Sequence, residues 1–208
     1  MRLVALPTSP YAARILIQAR EKGLDLEVAY PTGEVPIAEH AASNPFGRVP
    51  VLETPSGNII ESAAILEYIE DVYPTPSLRP ANALTTAQMR AFMLATDHYL
   101  FPVIRSLRVA LKERSERPAA MASLDGVLTA LQKLMDGKGY VCDGKFTLAD
   151  CALVPGGFYL ERFLSRMEQD SVFAKRPVLR DWWETVNGHD SVTRVLNDLE
   201  LALAPKPR

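Results

Sequence analysis

The spacing of apolar residues switches between strand and helix periods up to residue 73 and is helical thereafter, and this single change limits the fold more than anything else in the chain. Residues 2–6 (Arg-Leu-Val-Ala-Leu) form a short apolar run that reads as a buried strand. Pro7-Thr8-Ser9-Pro10 breaks it, and from Tyr11 to Lys22 the pattern resumes with Ile15, Leu16 and Ala19 at helical spacing. Ser9 is placed as an N-cap, Pro10 as the first helical residue and Gly23 as the C-cap. Leu26, Val28 and Tyr30 then alternate with Asp25, Glu27 and Ala29 as a second strand. Strand, helix and strand in about thirty residues predict a parallel pair with a right-handed crossover. A short helix is expected near Ile37 to Ala42. Val49 to Thr54, the turn Pro55-Ser56-Gly57-Asn58 and Ile59-Ile60 predict a β-hairpin. Glu61-Ser62 opens a helix through Tyr73 with Ile65, Leu66, Ile69 and Val72 on one side. The first domain, residues 1–75, is therefore expected as βαβ followed by ββα, with a mixed four-stranded sheet.

Pro74, Pro76 and Pro80 mark a linker over residues 76–84, and residues 85–208 are expected as an all-helical bundle domain. Its helices are predicted over Thr85 to Glu113, bent at Pro102, then Ala119 to Met135, ended by Gly137 and Gly139, Pro177 to Val186, and Ser191 to Leu201. Phe146-Thr147-Leu148-Ala149-Asp150 is a further helix start: Thr147 caps, Asp150 returns the bond three residues on, and Phe146 is placed to staple against Cys151.

Composition removes several functions. The 208 residues carry 23 basic and 25 acidic side chains, a formal charge of −2 with no concentrated positive face for nucleic acid or an anionic membrane. The longest uncharged run, Leu3 to Ala13, is interrupted by Pro7 and Pro10, so no segment reads as a membrane span. No secretory leader is recognisable after Arg2, and a cytoplasmic protein is expected. Cys142 and Cys151 fit neither a disulfide framework nor a common zinc spacing, and read as small buried apolar residues.

Four short segments carry the functional signal: Ser9-Pro10-Tyr11, the run Asn44-Pro45-Phe46-Gly47-Arg48-Val49-Pro50-Val51-Leu52, Glu61-Ser62, and Phe146 to Asp150. In this order, and over essentially the whole chain, they resemble the glutathione S-transferase family, with a thioredoxin-like domain that binds glutathione and a helical domain that helps bind a second substrate. The resemblance implies a cis Val49-Pro50 bond that turns the Val49 backbone toward the cysteinyl part of glutathione, like an added strand. It implies that Ser62, at a helix N-terminus, takes the γ-glutamyl carboxylate and Glu61 the neighbouring amine. Arg48 and His40 are placed for the glycine carboxylate, with solvated surface as the other reading, and Phe46 for a partner subunit's pocket in a homodimer, or for packing within its own chain.

Ser9 is the candidate catalytic group, because a hydroxyl donating to a sulfur at a helix N-terminus favours the thiolate. Tyr11 and Thr8 compete for that role. Tyr11, Tyr99, Arg105 and Arg108, with the C-terminal tail, are the candidates for the second-substrate pocket; outward-facing arginines would be ordinary surface. A thioredoxin-type Cys-x-x-Cys would occupy positions 9 and 12, which are Ser9 and Ala12, so disulfide chemistry has no nucleophile. The expected function is a glutathione transferase acting on a small, largely apolar electrophile, with glutathione as co-substrate and without metal, flavin or nucleotide. Two alternatives stay open: a glutathione-dependent isomerase or reductive dehalogenase, and a non-catalytic interaction module of the same fold.

Overall fold

The structure, a computed structural model, describes residues 1–30 and 44–205. His40 and the short helix expected near Ile37 to Ala42 lie outside the described residues. Contacts divide the chain into two compact units: Met1–Ser77 with Asp190–Arg208, and Leu78–His189.

In the first unit, β1 (Arg2–Val4), α1 (Pro10–Glu21), β2 (Glu27–Ala29), β3 (Val51–Thr54), β4 (Gly57–Ile60) and α2 (Ser62–Val72) follow the predicted order. The sheet order is β2-β1-β3-β4, with β1 parallel to β2 and antiparallel to β3. Leu3 faces Leu52 across that ladder, and both are fully buried. The helix α8 (Asp190–Leu203) packs on α1 and so belongs to this unit, where a place in the helical domain was expected. Ser191 donates to Glu21, and Arg20 pairs with Asp198 at 2.8 Å. An amphipathic helix shows that it needs an apolar partner but does not name one.

Enclosure on several sides explains why α1 buries polar residues as well as apolar ones. Arg14 and Gln18 are fully buried and Lys22 nearly so. They lie four residues apart and meet α2 at the same spacing. Arg14 Nη1 donates to Ser62 Oγ at 3.3 Å, Gln18 Nε2 to the Leu66 carbonyl at 2.8 Å, and Lys22 Nζ pairs with Glu70 at 2.8 Å. Both members of each rung advance together, so α1 and α2 run parallel, fixed by a polar seam. Lys22 Nζ also donates to the Tyr73 and Pro76 carbonyls, which gives its three protons three acceptors and ties down the chain leaving α2.

The second unit is helical: α3 (Ala83–Ala95), a π-helical segment (Thr96–Leu100), α4 (Phe101–Ala110), α5 (Arg117–Leu134), α6 (Leu148–Arg166) and α7 (Pro177–Val186). The helix expected from Thr85 to Glu113 ends at Ala110 and is interrupted by that π turn rather than bent at Pro102 itself. Pro102 offers no N–H, and the Phe101 N–H reaches back five residues to the Thr96 carbonyl, widening the turn ahead of the proline. Buried α6 is the centre of this unit. Its Gly157 lets Trp183 of α7 close in, since a Cβ there would lie 2.6 Å from the indole ring. The α6 start is as expected: Asp150 accepts from the Thr147 N–H at 2.8 Å, within a complete capping box. Phe146 packs against the Tyr140 and His189 rings. Cys142 and Cys151 are buried free thiols. No helix among the described residues is long and apolar enough to cross a membrane, and no cluster of three or more His, Cys, Asp or Glu among them could hold a metal.

Candidate active site

Ser9 caps α1 with extended backbone angles, and its Oγ accepts the Ala12 N–H at 3.2 Å. The acceptor side of the hydroxyl is thus engaged by the helix, and among the described residues its proton has no acceptor. Ser9 also lines a cavity of about 280 Å³, whose walls include Leu16 of α1, Tyr30 after β2, and Val195, Asp198 and Leu199 of α8. Burial and the Asp198 charge push the Tyr30 hydroxyl up in pKa, while Arg20 pulls it down. Tyr11 does not line this cavity; its ring lies under the Arg14 guanidinium, 5.1 Å from the centroid. Thr8 is half-buried.

The loop before β3 is built by Asn44, which is buried. Its Oδ1 accepts the Phe46 N–H at 2.9 Å, its Nδ2 donates to the Arg48 carbonyl at 2.8 Å, and its own carbonyl takes the Gly47 N–H at 2.8 Å. Gly47 turns with a φ of 61°, where a side chain would be strained. This turn leaves Arg48 exposed and Phe46 69% exposed. The Val49-Pro50 bond is cis, as expected. Pro50 is buried, and the β3 ladder begins only at Val51, which leaves Val49 outside it.

Glu61 precedes α2 with a φ of 65° and a ψ of 115°, a conformation that costs a non-glycine residue on the order of 1–3 kcal/mol. Its side chain is exposed and makes no capping bond. The turn lets Ser62 begin the helix with its hydroxyl against Arg14. Ser62 therefore does not cap; it is the first helical residue, 5% exposed.

Family models for the glutathione S-transferase N-terminal and C-terminal domains match residues 3–77 and 88–190. The chain belongs to the glutathione S-transferase family. It is 26% identical to glutathione S-transferase 3 of Zea mays, over 99% of this chain and 97% of that one. It is 25% identical to a stringent starvation protein A homolog of Pasteurella multocida, over 74% of this chain and 72% of that one. Among solved structures, a bacterial maleyl pyruvate isomerase, described as a zeta-class glutathione S-transferase, superposes with a TM-score of 0.77 at 26% identity, covering 100% of both chains.

Within this glutathione S-transferase fold, Ser9, Tyr11, Arg48, Val49, Pro50, Glu61 and Ser62 all belong to the first unit, whereas Tyr99, Arg105 and Arg108 belong to the second and are exposed there. Burial outweighs the pull of Arg162 and Arg108 on the Tyr159 hydroxyl, which is pushed up to about 12. The residue that sequence reasoning missed is Arg14. Its signal was a polar triplet, Arg14-Gln18-Lys22, at a spacing that matches Ser62-Leu66-Glu70; a four-residue polar repeat on a helix reads as a solvated face unless the helix is covered on that side.

Proposed function

We propose that this glutathione S-transferase family member activates the glutathione thiol beside Ser9 and adds it to a small, largely apolar electrophile. The observation that carries this reading is Ser9 itself: a hydroxyl whose acceptor side is held by a helix N–H, whose proton is available, and which opens on a cavity. Free thiols of this kind titrate near about 8.5. A hydroxyl donor and the positive end of α1 both favour the charged sulfur. Catalysis then consists of positioning the thiolate and stabilising it.

The other binding groups follow from the same pose. Val49 offers an unladdered backbone to the cysteinyl amide, Ser62 and the α2 N-terminus take the γ-glutamyl carboxylate, and the exposed Glu61 carboxylate takes its amine. Arg48 serves the glycine carboxylate, with His40 as its partner. Leu16, Val195 and Leu199 give the electrophile an apolar wall within the first unit. Exposed Phe46 is the aromatic key of a homodimer, and the protein is cytoplasmic. Isomerisation is the second reading, favoured by the likeness to a maleyl pyruvate isomerase over both entire chains. An isomerase also uses the activated thiol but returns it unconsumed.

The experiment is turnover with glutathione and a chromogenic aryl halide, alongside retention on immobilised glutathione. Wild type is expected to be retained and active, and Ser9→Ala retained with turnover reduced about 100-fold. Unchanged turnover in Ser9→Ala removes its catalytic role; a wild type that is not retained favours a non-catalytic interaction module.

A further inference from the structure

The top rung of the α1–α2 seam differs chemically from the other two. Gln18 meets a carbonyl and Lys22 a carboxylate, so in both cases a donor faces a pure acceptor. Arg14 instead faces a hydroxyl, which can both give and take. A guanidinium has five N–H donors and no acceptor. Ser62 Oγ can therefore only accept from Arg14, and its proton must be given elsewhere. No acceptor for it is found among the described residues. Ser62 is the first residue of the 11-residue helix α2, where the backbone N–H groups also lack intrahelical acceptors.

We propose that Arg14 is a positioning residue that makes Ser62 an obligate donor toward a carboxylate at the α2 N-terminus. The inference rests on the glutathione reading above and adds to it both a residue and a source of selectivity: the site prefers a γ-glutamyl group that carries its α-carboxylate over one that lacks it. Arg14 is well placed for such work. It is fully buried, so its own orientation is held by packing, and its guanidinium stacks on Tyr11, two residues from Ser9. One side chain thereby touches both helix starts from which the site is built.

Isothermal titration of the full chain with glutathione, and with the analogue in which hydrogen replaces the γ-glutamyl α-carboxylate, tests this through the ratio of the two affinities. Arg14→Gln supplies a carbonyl that can take the Ser62 proton inward, and is expected to lower the ratio about tenfold. Arg14→Lys again offers only donors and is expected to stay within about threefold of wild type. Ser62→Ala, which keeps the buried arginine, is expected to lower the ratio as far as Arg14→Gln does, and serves if the latter does not fold. A purely structural role would weaken both ligands together and leave the ratio alone. The proposal is overturned by an undiminished ratio in Arg14→Gln or Ser62→Ala, or by an equal loss in Arg14→Lys and Arg14→Gln. A wild type that binds neither ligand overturns the glutathione reading itself, and this inference with it.

Discussion

Each unit buries a carboxylate, and the two solve the same electrostatic problem differently. In the second unit Asp150 is fully buried and surrounded by neutral donors: the Val141 N–H at 2.9 Å, Trp182 Nε1 at 3.0 Å, and the N–H and hydroxyl of Thr147 at 2.8 and 2.9 Å. In the first unit Glu70 faces a cation, Lys22, at 2.8 Å, at the far end of a seam that begins at Ser62. The Asp150 arrangement is closed, with its donors supplied by the turn before α6, the α6 cap and α7. The seam is open at one end, where Arg14 gives a bond to a serine whose proton is unspent. Enclosed polarity of the first kind fixes a fold, and polarity of the second kind fixes a fold and also prepares a site.

The largest expected effect comes from breaking the closed arrangement. Asp150→Ala leaves three buried N–H donors unpaired and removes the α6 capping box, and is expected to lose about 4–5 kcal/mol of stability in urea unfolding. Glutathione affinity of the folded fraction should be unaffected, because Asp150 belongs to the other unit. Lys22→Met strands Glu70 in the interior and is expected to cost about 3–4 kcal/mol, most of which the apolar double variant Lys22→Met/Glu70→Leu recovers in the same assay. A double variant no more stable than the single one contradicts an ion-pair origin for the loss.

A pH titration of stability separates the two carboxylates further. Burial lifts the Asp150 carboxyl from 3.8 to about 6, against the four donors that pull it down. The native state then holds this proton more tightly than the unfolded chain does. The Asp150 contribution is therefore full below about pH 4 and is lost as pH rises through about 6, by roughly 3 kcal/mol. Asp150→Asn should flatten that fall, measured as the midpoint of urea unfolding across the window, and an unchanged slope assigns it elsewhere. The smallest effect belongs to the exposed clasp between α1 and α8: Arg20→Ala is expected to cost no more than about 1 kcal/mol in thermal unfolding.

How much of this was legible in the residues depended on whether the signal was local. The α6 start was readable because Thr147 and Asp150 carry their meaning within a few positions, whereas Phe146, expected against Cys151, meets the Tyr140 and His189 rings. The βαβ–ββα order was readable from strand and helix periods, and the Val49-Pro50 element from its setting in the Asn44 to Leu52 run. The seam was not, since Arg14, Gln18 and Lys22 become interior only when α2 covers them, and a helical period does not say how many sides of a helix are enclosed. For the same reason α8 was read as part of the helical domain. The break before Pro102 was anticipated in place but not in kind, because a proline dictates a missing N–H and leaves the chain to choose between a bend and a wider turn.

The central claim is that Ser9 holds glutathione as a thiolate. Ultraviolet absorbance of the bound thiolate, followed against pH in wild type and Ser9→Ala under saturating glutathione, addresses it without reference to any electrophile. The account predicts a midpoint at least about one pH unit below that of free glutathione in wild type, returning toward the free value in Ser9→Ala. A wild-type midpoint equal to that of free glutathione, or a lowered midpoint that survives Ser9→Ala, contradicts it.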